Sequence, residues 1–234
     1  FESVAFCEIE DFPRRVLAKH WPEVPCYHDV RELTADVVRR DGIGEIDVIT
    51  GGFPCQDLSL AGKLAGIDEG TRSGLWSEIV RLTRELRPKY IIVENVANLL
   101  SGPSHQRGGW FGRVLGDLAE CGYDAEWENI PAATVGAPHR RERVWIVAYP
   151  KDVGCQRCAE KQILGVRNLP SKPVRGFEDW ARMRNLPASR TIKSNDGIPS
   201  RVDRIRACGN AVVPQIPELI GHAILDAEGA AMPH

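Results

Sequence analysis

Residues 46–60 read IDVITGGFPCQDLSL. Five residues, mostly apolar and β-branched, run into Gly51, Gly52, Phe53 and Pro54, and then into Cys55. A short apolar run bounded by turn residues reads as a buried strand. The thiol therefore stands on a turn just past a strand end rather than inside the strand. In open α/β sheets, reactive residues gather in the loops at the carboxyl ends of strands. A buried, inert cysteine is the plainer reading of the same position.

The flanking pattern supplies the sheet. Residues 3–9 (SVAFCEI) predict a short buried strand. A helix follows, N-capped by Asp11, with Pro13 in its first turn and Val16 and Leu17 facing inward. Leu75, Ile79, Leu82 and Leu86 recur at helical spacing and stop before Pro88. Residues 90–96 (YIIVENV) form a further strand, and Phe111, Leu115 and Leu118 a further helix that Gly122 ends. Strand and helix in alternation indicate an α/β fold with a parallel sheet. Two strands at 125–130 and 143–149, joined through Pro131, Gly136 and Pro138, read as a hairpin that adds an antiparallel strand. Ile216, Leu219, Ile220, Ala223 and Ile224 outline a terminal helix.

Bulk properties narrow the field. The chain has 234 residues, 43% of them hydrophobic and 26% charged, which suits one large domain or one with a small appendage. No apolar run approaches the roughly 18–20 residues of a membrane span, so no membrane partner is expected. Seven scattered cysteines in a chain of cytosolic type favour reduced thiols and a cytoplasmic location. Cys155 and Cys158 form a CxxC, but no second ligand pair follows, so no metal is expected. The net charge of −2 gives no global attraction to nucleic acid, so any anion-binding surface must be local. Residues 139–143 (HRRER) and 167–206 are locally basic; a solvated loop face explains them equally well. Periodicity fails over 151–200, which reads as a small irregular insert between a domain at 1–150 and a returning segment at 201–234.

Glu94 and Asn95 end the predicted strand at 90–96, 39 residues after Cys55. That distance allows one crossover helix, and adjacent strands lie about 4.8 Å apart. Cys55 and Glu94 can thus face one pocket. The series GFPCQDLS, TRSGLW, VENV, PHRRERVWIVA and GNAVVP, in that order, resembles the cytosine-5 DNA methyltransferases of prokaryotic or phage type. The resemblance spans nearly the whole chain outside 151–200.

The resemblance implies a Rossmann-like fold that uses S-adenosylmethionine, with a mostly parallel sheet and an antiparallel hairpin strand. It implies methyl transfer to carbon 5 of a cytosine flipped out of double-stranded DNA. Cys55 matches the family nucleophile, and Glu94 the acid that hydrogen-bonds ring nitrogen 3. Arg143 matches the contact to the exocyclic oxygen, and Arg141 a second arginine near the nucleophile loop. Asn95 is expected to brace that loop. Glu8 matches the acid on the cofactor ribose, and Ile9 an apolar contact to adenine. Asp29 matches the adenine amino contact, although capping its own turn is an ordinary alternative. Pro54 and Leu75 match cofactor-pocket positions, and Asn210 and Ala211 the late segment beside the cofactor. Residues 57–74 are Gly-rich, as a loop closing over a flipped base should be. The insert at 151–200 stands where the family has its target-recognition region. A cognate restriction endonuclease is the expected companion.

This sequence departs from the family at three points. His139 stands where the family usually has Gln. Residues 196–205 (DGIPSRVDRI) differ from the family's ninth motif. The family's first strand and its Gly-rich turn are expected ahead of Phe1, so the sequence reads as an incomplete record. Two other readings remain: a non-catalytic nucleic-acid-binding remnant of the family, and the family branch that methylates tRNA.

Overall fold

The computed structural model describes residues 1–53, 74–102, 108–137, 139–151, 163–164 and 209–229. The elements are β1 (Phe6–Cys7), α1 (Asp11–His20), β2 (Cys26–Tyr27), α2 (Ala35–Arg40), β3 (Val48–Gly52) and α3 (Leu75–Leu86). They continue with β4 (Tyr90–Val96), α4 (Gly109–Glu120), β5 (Tyr123–Pro131), β6 (Glu142–Pro150) and a last helix, α5 (Gln215–Ala227).

The main sheet has the order β3-β4-β6-β5. β3 and β4 are parallel, and β6 is antiparallel to both of its neighbours. Strands β3, β4 and β5 therefore run one way and β6 alone runs the other, as the hairpin expectation required. β1 and β2 form a separate parallel pair.

β4 sits inside the sheet, and its first four residues are buried. That explains its unbroken apolar run: a strand covered on both faces needs no polar alternation. The two faces carry different cores. Ile91 and Val93 join Val144, Ile146 and Ala148 beneath Trp76 and Val80 of α3 and Val114 and Leu118 of α4. Tyr90 and Ile92 join Trp145, Val147 and Tyr149 beneath Ile216, Ile220 and Ile224 of α5. Ile163 and Leu164 belong to this second core, and Leu164 N–H donates to Glu126 Oε2 at 3.1 Å.

Helix ends follow local chemistry. α3 ends at Arg87, held at φ 49° ahead of Pro88. A side chain rarely adopts that left-handed backbone. Arg87 is fixed there by donating Nη1 to the Cys121 carbonyl at 2.5 Å and by lying 5.3 Å over the Tyr123 ring. Gly122, at φ 85°, follows the end of α4, as expected. Gly102 is required for another reason. A Cβ there would lie 1.9 Å from the Trp110 ring, which is buried. Gly102→Ala should lower unfolding stability by about 1–3 kcal/mol, the usual cost of overpacking. Urea denaturation measures it, and an unchanged midpoint would mean that the ring has room to move.

The amino-terminal region differs from the sequence expectation. The strand expected over 3–9 is two residues long and not buried. α1 is entered from Glu10 rather than capped by Asp11, no residue of it is buried, and Val16 is 41% exposed. The cause is the lack of a covering layer among the described residues: β1 is paired only with β2, and α1 lies against that pair. α2 has no counterpart in the hydrophobic pattern. Its Thr34 Oγ1 accepts from Val37 N–H at 3.3 Å, the standard N-cap bond.

Candidate active site

The site forms at the carboxyl ends of β3 and β4. Gly52 is paired with Glu94 in the parallel register. A Cβ on Gly52 would come 3.2 Å from the Glu94 carbonyl and 3.4 Å from its Oε2. Glycine therefore lets the end of β3 lie directly against the Glu94 carboxyl group. Across the sheet, β6 pairs Trp145 with Glu94 and Arg143 with Val96. Glu94 and Arg143 are thus diagonal neighbours on one face, within reach for long side chains. Their contact, Nε to Oε1, is 2.8 Å, and both side chains are largely covered. Oε1 has no hydrogen-bond partner of good geometry, so this is a bent charge contact rather than a linear hydrogen bond.

Burial raises the pKa of Glu94, and the Arg143 and Arg141 charges pull it back only in part. A carboxyl group so placed keeps its proton at a higher pH than an exposed one. Arg141 is held below the usual arginine value, first by burial and then by Arg143. Its Nη2 donates to the carbonyls of Gly209 at 2.8 Å and Ala211 at 2.5 Å. That brings the exposed residues Asn210 and Ala211 to the same end of the sheet.

Asn95 points to the other face and is buried. Its Nδ2 donates to the Phe53 carbonyl at 3.2 Å, and its Oδ1 accepts from Val96 N–H at 2.8 Å. Asn95 therefore grips the chain at the residue just before Pro54. Phe53 is itself buried, its ring 5.3 Å from that of Trp76 at the start of α3. Leu75, half-buried, opens the same helix. Cys55, Pro54, the loop at 57–73, Pro138 and the Cys155–Cys158 pair lie outside the described residues.

A second group of candidates lies at the ends of β1 and β2. Glu8 and Asp29 follow these two parallel neighbours by one and two residues. Glu8 Oε1 accepts from Glu10 N–H at 2.8 Å, and Ile9 is 54% exposed. Asp29 caps its own turn: Oδ1 accepts from Arg31 N–H at 2.9 Å, and the Arg31 guanidinium grips both oxygens. These bonds hold its carboxyl at about 2. The plainer of the two readings of Asp29 is thus present in the structure. Among the described thiols, Cys7 is pushed up to about 11 by partial desolvation, by Cys26 and by the acids Asp29 and Glu8, which leaves it a poor nucleophile.

Sequence reasoning did not find the bond from Arg141 to residues 209 and 211, nor the contact between Arg143 and Glu94. Nothing in residue spacing marks a contact that depends on strand register.

An α/β sheet with a half-buried glutamate and two arginines at its strand ends defines a class, and comparison with known proteins gives its family. Residues 1–175 match the family model described as C-5 cytosine-specific DNA methylase, and the chain belongs to that family. It is 43% identical over 122 residues to the type II methyltransferase M.Sau3AI of Staphylococcus aureus, covering 51% of this chain and 30% of that protein. It is 34% identical over 150 residues to M1.ScrFI of Lactococcus lactis subsp. cremoris, covering 64% and 36%. The chain thus spans about a third of the length of these relatives. Among solved structures, a prophage-encoded protein from E. coli superposes with a TM-score of 0.53 at 24% identity, over 65% of this chain and 41% of that one. A DNMT2 variant of Spodoptera frugiperda gives 0.50 at 23%, over 64% and 43%. The fold is the Rossmann-like fold of the methyltransferases. Among the described residues no helix is long and apolar enough to cross a membrane.

Proposed function

We propose that the protein is a DNA cytosine-5 methyltransferase that attacks its base with Cys55 and supports the attack with Glu94. The observation that carries this reading is the Glu94 carboxyl group: half-buried at a strand end, raised in pKa, and set against Gly52 at the end of β3, three residues before Cys55. Carbon 5 of cytosine is a weak nucleophile. Addition of the Cys55 thiolate to carbon 6 pushes the ring electrons toward nitrogen 3 and makes carbon 5 enamine-like. Protonated Glu94, hydrogen-bonded to nitrogen 3, relieves the charge that accumulates there. Arg143 serves the exocyclic oxygen. Loss of the carbon 5 proton and expulsion of the thiolate restore the aromatic ring and the free enzyme. A base within a duplex cannot reach such a site, so it must be flipped out, at a cost of a few kcal/mol.

S-adenosylmethionine, when bound, supplies the electrophilic methyl group. The residues present fit part of that molecule. Glu8 and Asp29 end adjacent parallel strands, where ribose and base contacts of nucleotide folds arise, and exposed Ile9 offers an apolar surface to adenine. Asn210 and Ala211, tied to Arg141, and Pro54 and Leu75 complete the assignment. We assign 1–150 and 201–234 to the catalytic domain and 151–200 to target recognition, with arginines on phosphates or guanine edges. A cognate restriction endonuclease is the proposed companion.

The test is transfer of labelled methyl groups from S-adenosylmethionine to duplex DNA and to tRNA by the purified chain. Label at carbon 5 of DNA cytosine is the expected result. Label in tRNA alone would replace the DNA substrate, and DNA binding without transfer would favour the non-catalytic remnant.

A further inference from the structure

We infer that Arg141 is a positioning residue: its guanidinium fastens residues 209–211 to the Glu94 end of the sheet and so holds the cofactor-side segment in place. The inference rests on the proposed reading, in which Asn210 and Ala211 lie beside S-adenosylmethionine.

The main chain of Arg141 is anchored first. Ala132 N–H donates to the carbonyls of Arg140 at 2.8 Å and Arg141 at 3.2 Å, and Ala132 is buried. From that fixed base Nη2 reaches two carbonyls, of Gly209 and Ala211, across 68 and 70 residues of sequence. Gly209, Asn210, Ala211 and Val212 are all exposed. Among the described residues, packing takes over at Val213, which lies against Ala132 and Ala137, and then at Ile216 in α5. The stretch 209–212 is thus held from one end by α5 and along its length by Arg141.

The placement is costly on its own terms. Arg141 is partly buried beside the like-charged Arg143. A desolvated cation needs acceptors and a counter-charge. The two carbonyls supply the acceptors, and the Glu94 charge offsets part of the effect of Arg143. Among the described residues, the charged groups that act on Glu94 are Arg143 and Arg141, and Gly52 of β3 lies against its carboxyl group.

Lysine keeps the charge, but its side chain is shorter and its ammonium is not set by a planar group, so it does not reach both carbonyls from where Nη2 stands. In Arg141→Lys, the dissociation constant for S-adenosylmethionine, measured by calorimetry, should rise about tenfold, as expected for losing one charge-assisted hydrogen bond. Amide exchange of residues 209–213 should quicken, while the pH profile of transfer stays in place. Arg141→Gln should loosen the same segment and also move the descending limb of that profile to higher pH, because Arg141 lowers the proton affinity of Glu94. Wild-type affinity and wild-type exchange in a folded Arg141→Lys would overturn the inference. A wild-type chain that binds no S-adenosylmethionine would instead overturn the cofactor reading, and the exchange rates alone would then decide whether Arg141 is the tether.

Discussion

Cys55→Ser should abolish methyl transfer and the covalent adduct with 5-fluorocytosine DNA. A serine hydroxyl is far less acidic than a thiol and far less nucleophilic at neutral pH. Addition to carbon 6 is the step that activates carbon 5, so nothing downstream can proceed without it. With fluorine at carbon 5, the base has no proton to lose there, and the enzyme stays bound to it. A denaturing gel then shows the wild-type adduct and none for the variant. Binding of duplex DNA should survive, since the substitution removes a reacting atom and not a basic contact. An adduct formed by Cys55→Ser would move the nucleophile elsewhere. Cys7 is a poor replacement, because partial desolvation, Cys26 and neighbouring acids hold it protonated.

What the sequence shows of this fold follows from how each element is stabilised. β4 was legible because burial on both faces demands an unbroken apolar run, and YIIVENV supplies one. α3 and α5 were legible because each lays a stripe of apolar residues on a core. β2 is two residues long, too short for any period to register, and β1, equally short, was expected as a longer, buried strand. α2 has six residues and one buried side chain, and its mark is the Thr34 cap alone. The site divides in the same way. Glu94 could be placed because it ends a strand. Its closeness to Arg143 depends on how β6 is registered against β4, and a slip of one residue would put Arg143 on the opposite face.

Glu94→Gln should slow transfer by about 10²–10⁴, the usual contribution of a positioned acid or base. The amide is nearly the same shape and can donate a hydrogen bond to nitrogen 3, so the base should still bind. It cannot share a proton with that nitrogen as the thiolate adds, and the charge in the ring goes unrelieved. The pH profile separates this from a loss of packing. Burial raises the Glu94 pKa, so the protonated form persists above the ordinary carboxyl range and is lost as pH climbs through the raised value. In the wild type that loss should give kcat/KM a descending limb, while ionisation of the proposed nucleophile Cys55 should give the ascending one. Glu94→Gln should keep the ascending limb and lose the descending one. The contact with Arg143 bears on the same point. At 2.8 Å and bent, it favours the ionised carboxylate while Arg143 stays on it. A bound cytosine that takes Arg143 onto its exocyclic oxygen removes that stabilisation, and the proton affinity of Glu94 rises just where the ring nitrogen needs a donor. A Glu94→Gln variant that transfers at the wild-type rate, with both limbs intact, would remove the carboxyl group from the chemistry.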